Sequence, residues 1–285
     1  KLGIGFAVVN NLAFDKELPE NNIVTIQPDS LRILHNPLTG WVLYASMGVD
    51  AADFWAQYDH MYIPELGHNV SVTDYAHTLY IRASWTEFNP QEDVYGWKID
   101  SNLRAYIEGA YQRNMRLAFR VVVDSRDKRT EFTPQFVKDA GAKGFMNKGK
   151  WSPYSDDPVF QKYYTKFVKA LAKDFNDPSK VEFIDGFGLG KWGEYHTMIY
   201  STGDDTPKKA VFDWVTDIYS QAFDKVPVVI NYHRWIGAGK DWVDDEHFAA
   251  DSEEMLEEAI KKGYSLRHDA FGMTTYYGSW ERRFA

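Results

Sequence analysis

Short apolar runs alternate with amphipathic stretches along this chain, and that alternation constrains the fold more than any other feature. Six runs are brief, rich in β-branched and aromatic residues, and bounded by turn residues, the pattern of buried strands. They are 41–47 (WVLYASM), 78–83 (TLYIRA), 117–123 (LAFRVVV), 181–189 (VEFIDGFGL), 226–232 (VPVVINY) and a weaker 264–269 (YSLRHD). The stretches between them have helical spacing. Residues 101–114 place Leu103, Ile107, Ala110 and Tyr111 on one stripe. Asp157 at the N-cap and Pro158 at the first helical position open a helix whose Phe160, Tyr164, Phe167, Leu171 and Phe175 recur every three or four residues. Residues 208–223 carry Val211, Trp214, Val215, Ile218 and Phe223 in helical spacing. Ser252 caps a further helix over 253–262, with acids early and lysines late as the macrodipole favours.

Strand and helix in steady alternation mean parallel pairing through right-handed crossovers. No G-x-G-x-x-G follows the first strand, so the expected class is α/β of the (β/α)8 TIM-barrel type rather than a dinucleotide-binding sheet. About six of the eight strands are identifiable. Two more βα units take roughly 60–80 residues at the usual spacing. Residues 1–27 therefore read as a lead segment, and 28–285 as a barrel domain incomplete at its C-terminal end.

Composition narrows the partners. Aromatic residues make up 16% of the chain, and aromatic faces are what sugar rings stack on, although an aromatic-rich core gives the same count. A formal net charge of −9 with no block of Lys/Arg speaks against nucleic acid and anionic membrane. No apolar run reaches the roughly 18 residues of a membrane span. The opening K-L-G-I-G-F-A-V-V is too short and Gly-broken for a signal peptide. Without Cys there are no disulfides, no thiolate catalysis and no Cys-ligated zinc. No cofactor is implied, and no H-E-x-x-H or related spacing suggests a metal. Oligomeric state is not readable.

Active sites of such barrels lie where the strands end, and the fourth run offers the most there: Gly188-Leu189-Gly190-Lys191-Trp192-Gly193-Glu194-Tyr195-His196. Glycines let backbone and ligand approach closely, and Trp192 and Tyr195 supply stacking faces. A carboxyl group flanked by aromatics is partly desolvated, which raises its pKa and suits it to donate a proton. Glu194 is thus the leading candidate for general acid/base. The second acid within the chain is Asp124, after the third strand, or Asp269, after the sixth; either also reads as a helix cap or as a partner to Arg126 or Arg267. His196 and His233 at adjacent strand ends read as sugar hydrogen-bond donors. The long 124–156 connection, with Phe132, Phe136, Phe145, Trp151 and Tyr154, either walls a cleft, with Trp151 as a substrate contact, or packs over the barrel top.

The second strand is followed by Arg82-x-x-Trp85-x-x-x-x-Pro90 and then Tyr95-x-Trp97. This resembles the motif after the second strand of the retaining clan A glycoside hydrolases, which include bacterial β-galactosidases and cellulase-like enzymes. The resemblance implies that Arg82 supports the catalytic nucleophile, that Trp85 lies by the substrate, and that the nucleophile follows a seventh strand. The Trp192-Gly193-Glu194-Tyr195-His196 segment, with Asn36-Pro37-x-x-Gly40-Trp41 and the Trp151 to Pro158 approach, more closely resembles a family of bacterial barrel proteins common in polysaccharide-degrading gut bacteria. It implies a carbohydrate substrate and a secreted, periplasmic or cell-surface location. One departure matters: clan A enzymes carry Asn-Glu where this chain has Gly193-Glu194. Asn231 or His233 would take over the sugar contact of the missing Asn. The expected function is hydrolysis of a poly- or oligosaccharide, with a non-catalytic carbohydrate-binding barrel as the alternative.

Overall fold

The computed structural model describes residues 40–45, 47–124, 131–231, 236–239 and 251–267. Six strands form one sheet: β1 (Trp41–Ala45), β2 (Ala76–Ser84), β3 (Arg116–Val122), β4 (Val181–Asp185), β5 (Val228–Asn231) and β6 (Ser265–Arg267). They lie in the order β1-β2-β3-β4-β5-β6, and every neighbouring pair is parallel. Doubly wound sheets reverse their order at a switch point; this one does not. With crossovers of one hand, sequential order puts the helices on one face and leaves the other as a barrel interior. The fold is α/β of the (β/α)-barrel type. Six consecutive strands are seen, and closure of the ring is not seen among the described residues.

Five helices of eight residues or more are described: α1 (Ala51–Asp59), α2 (Ser101–Gln112), α3 (Pro158–Phe175), α4 (Lys208–Ala222) and α5 (Ser252–Lys261). At α3 the Asp157 carboxylate accepts from the Phe160 amide at 2.8 Å, and Pro158 occupies the first turn, as the sequence implies. Phe160, Tyr164, Phe167, Leu171 and Phe175 are all buried. Ser252 is the first helical residue of α5, with Asp251 in the N-cap place, so it is not the cap expected of it.

Alternation along the strands sorts side chains by face. Leu79, Ile81, Leu117, Phe119 and Val121 join the apolar core with the helices. Tyr80, Arg120, Asp185 and Arg267 meet on the other face. A charged layer among strands is the feature that positions the candidate site.

Candidate active site

The loop after β4 is held in left-handed backbone. Gly188, Gly190 and Gly193 have φ of 71°, 73° and 71°, and Trp192, Tyr195 and Thr197 have φ of 59°, 61° and 52°. Such strain in non-glycine residues gathers at functional sites more than elsewhere. The loop also closes on itself: the Tyr195 amide donates to the Leu189 carbonyl and the Lys191 amide to the His196 carbonyl, each at 2.9 Å. Gly188 has no room for a side chain, since a Cβ would stand 2.4 Å from the Val121 carbonyl oxygen and 2.5 Å from the Tyr164 hydroxyl. The loop is thereby seated on β3 and α3.

This loop presents Glu194 with its side chain 17% exposed. Arg120 donates from Nη1 to Glu194 Oε1 at 2.9 Å, and His196 Nε2 stands 3.4 Å from Oε2. His196, itself buried, turns Nδ1 to the Thr197 hydroxyl at 2.8 Å. Beneath them Arg120 donates from Nε to Asp185 Oδ2 at 2.8 Å. The same carboxylate takes the Tyr80 hydroxyl and stands 2.9 Å from Arg267 Nε. Burial, and then the negative charge of Asp185, push the Tyr80 phenol well above its ordinary value. Arg82 donates to the Trp192 carbonyl at 2.9 Å and to the Tyr44 hydroxyl at 3.2 Å.

The fold therefore brings Arg82, Trp192, Glu194 and His196 to one end of the sheet. Arg82 is not the cation at Glu194, yet Glu194 is not free of cations either. The expected surroundings of aromatics without charge compensation are replaced by an ion pair with Arg120, which the sequence reading passed over. Its signal was present: an arginine inside the apolar run LAFRVVV, and an aspartate inside VEFID. A charge in the middle of a buried strand needs partners, and these two residues are each other's.

Of the four aromatic residues expected near substrate, three are buried. Trp85 is fully buried among Phe136, Phe160, Tyr164 and Phe167. Its short helix, Trp85–Phe88, turns it inward under a capping box made by Ser84 and Glu87. Tyr195 is fully buried against Phe187 and Phe212. Trp151 is buried within the hairpin of Gly144–Asn147 and Lys150–Pro153, the first of which brings Gly144 against its indole. Trp192 alone of the four keeps appreciable surface, edge-on to His196 at 5.6 Å with Lys191 Nζ 4.6 Å from its ring.

Asp124 is nearly buried and lines a narrow crevice between the hairpin residues Phe145 and Ser152 and the loop residues Leu189 and Gly190. The described part of the 124–156 connection thus both walls a crevice and packs on the core. Asn231 is buried at the end of β5. His233, Asp269 and Arg126 lie outside the described residues. Among the described residues no three His, Asp or Glu side chains gather as a metal site, and no helix is long and apolar enough to cross a membrane.

No family model and no curated protein matches the chain. Solved structures do. An endo-1,4-beta-xylanase from Caldicellulosiruptor owensensis is similar at 13% identity and a TM-score of 0.46, over 85% of this chain and 64% of that one. An endo-glycoceramidase II from Rhodococcus sp., solved as a lactosyl-enzyme intermediate, is similar at 12% identity and 0.44, over 77% and 60%. An endogalactoceramidase is similar at 14% identity and 0.45, over 87% and 67%. These neighbours are glycoside hydrolases, and the chain spans less than two thirds of the length of the xylanase and of the endo-glycoceramidase.

Proposed function

We propose that this protein acts on a poly- or oligosaccharide as a glycoside hydrolase, with Glu194 as its general acid/base. The observation that carries the reading is the placement of Glu194: a partly exposed carboxylate on a strained loop at one end of a parallel sheet, held by Arg120 and His196. An alkoxide leaves water badly, so a proton delivered to the glycosidic oxygen is where an acid contributes most, typically 10²–10⁴-fold. His196 Nε2 faces Glu194 Oε2, and either partner can carry the proton between them. Trp192, half-buried, keeps ring surface that a sugar could contact.

Hydrolysis through two carboxylates needs a second one, about 5–5.5 Å away for retention or about 6.5–9.5 Å for inversion. Asp185 is not suited: its side chain is wholly enclosed by Tyr80, Arg120 and Arg267. Asp124, in the crevice that shares Gly190 with the Glu194 loop, is the described candidate, and Asp269 is the other. On this reading the protein is secreted, periplasmic or cell-surface, as the resemblance to the gut-bacterial barrel proteins implies.

A second reading, a carbohydrate-binding barrel without catalysis, is favoured by two observations. Gly193 stands where the clan A pattern has Asn, and the Arg120 ion pair occupies one oxygen of the proposed acid. The test is hydrolysis and binding across a panel of oligosaccharides by wild type and Glu194→Gln. The amide keeps the shape and loses the proton. Cleavage of unactivated glycosides should fall roughly 10²–10⁴-fold, while aryl glycosides with good leaving groups suffer far less. Equal cleavage by both proteins removes Glu194 from the mechanism. Binding by wild type without cleavage selects the second reading.

A further inference from the structure

Arg120 sits in the middle of β3 with only 2% of its surface exposed. Burying a guanidinium is costly unless its donors and charge are met, and here two carboxylates meet them. Nε is given to Asp185 at 2.8 Å and Nη1 to Glu194 at 2.9 Å. The guanidinium is planar, so its nitrogens are a rigid fork. Once Nε is fixed on Asp185, the direction of Nη1 is fixed as well.

The two carboxylates are not equally anchored. Asp185 belongs to β4 and is gripped from β2 by the Tyr80 hydroxyl and from β6 by Arg267, with its side chain fully buried. Glu194 lies on a loop, one residue past a single 3₁₀ turn, and remains partly exposed. The dependence therefore runs upward, from the charged layer of the sheet to the loop.

Resting on the reading of Glu194 as the reactive carboxylate, we propose that Arg120 is its positioning residue: Asp185 orients Arg120, and Arg120 holds Glu194 at its station above the sheet. The tyrosine and the second arginine complete a relay drawn from four strands, so the setting of Glu194 is decided by the sheet and not by the loop that bears it.

Two measurements test this without requiring turnover. The first is a crystal structure of Glu194→Gln. Arg120 should keep its bond to Asp185 and still direct Nη1 at the new amide; an Arg120 that turns away when Glu194 loses its charge overturns the proposal. The second is the titration of Glu194, followed by carbon NMR in protein labelled at glutamate carboxyls and assigned by its loss in Glu194→Gln. In Arg120→Met the midpoint should rise by about one pH unit or more, as expected when a cation within hydrogen-bond reach is removed; an unchanged midpoint overturns the proposal. Should Arg120→Met fail to fold, Arg120→Lys replaces it: a point charge cannot span both carboxylates, so the Glu194 resonance should still shift in position and midpoint, and wild-type values would count against the proposal. Where a glycoside is cleaved, Arg120→Lys should lower kcat about tenfold or more with KM within about twofold, the pattern of lost orientation. Absence of all hydrolysis would remove the proton-donor reading, while the structural and titration outcomes still decide whether Arg120 positions Glu194.

Discussion

Two buried aromatic residues show how differently burial weighs on polar and on apolar atoms. The Tyr195 hydroxyl is enclosed without a hydrogen-bond partner among the described residues, and burial pushes its phenol well above its ordinary value. An unpaired buried hydroxyl costs about 1–3 kcal/mol of desolvation. Tyr195→Phe should therefore leave stability unchanged or raise it by up to about 1 kcal/mol in urea unfolding; a loss above that would mean the hydroxyl has a partner. At Trp85 the indole nitrogen is likewise buried without a partner among the described residues, but the ring's apolar area dominates. Its indole is packed on every side by four aromatic rings, so Trp85→Ala should cost about 3–5 kcal/mol by leaving a cavity. Tyr195 reads as a stacking face in the sequence, and the family resemblance places Trp85 near substrate, because an aromatic beside a strand end reads the same whether it turns out or in. The place of Glu194 at a strand end was legible because a Gly-rich loop follows an apolar strand run there. Arg120 and Asp185 were not, because they sit inside strands whose apolar neighbours carried the pattern.

Among elements, α1 packs on α2 through a glycine. A Cβ on Gly109 would lie 2.1 Å from Trp55 Nε1, and the same nitrogen donates to the Ala105 carbonyl at 3.2 Å. Helix propensity alone favours alanine over glycine by about 1 kcal/mol. Steric overlap with an indole outweighs this, so Gly109→Ala should destabilise by about 1–3 kcal/mol. In a Trp55→Ala background the same change should become stabilising, and a double-mutant cycle in urea would read the reversal. The helix α1 itself was not foreseen, although Asp50 caps it by accepting from the Ala52 amide. It is nine residues long with three buried, too little stripe to stand out. The longer helices were legible for the converse reason: α3 repeats its buried face over eighteen residues. The strands were legible too, but their ends were not. β4 stops at Asp185, and the apolar run continues through Phe187 and Leu189 because the loop beyond is as buried as the strand. The hairpin of Met61–Ile63 and His68–Val70 was missed because three-residue strands leave no periodicity to count.

At the scale of the whole molecule, the aromatic excess becomes a property of pH. The phenols of Tyr80, Tyr164, Tyr195 and Tyr264 are all held well above their ordinary value, and burial is the first cause in each. Below about pH 10 these groups are neutral in the folded and the unfolded chain alike, and the full stability is present. Above it the unfolded chain ionises while the folded one does not. Protons are then held more tightly by the folded state, so stability falls as pH rises, by about 1.4 kcal/mol per phenol for each pH unit. Four phenols together remove about 6 kcal/mol by pH ~11, which is comparable with the roughly 5–15 kcal/mol that holds a domain together. Alkaline unfolding should therefore be cooperative near pH ~11. The exposed tyrosines should titrate first and gradually, and the buried ones should ionise in one step that coincides with loss of helical circular dichroism. Tyr264→Phe removes one of the four and should move the midpoint upward, provided the bonds that its hydroxyl gives to the Gly186 and Thr216 carbonyls cost less than the gain. Tyr195→Phe is the cleaner test, because its hydroxyl has no such bonds to lose. A smooth phenolate titration finished before any change in circular dichroism would show that the buried rings are not held neutral by the fold.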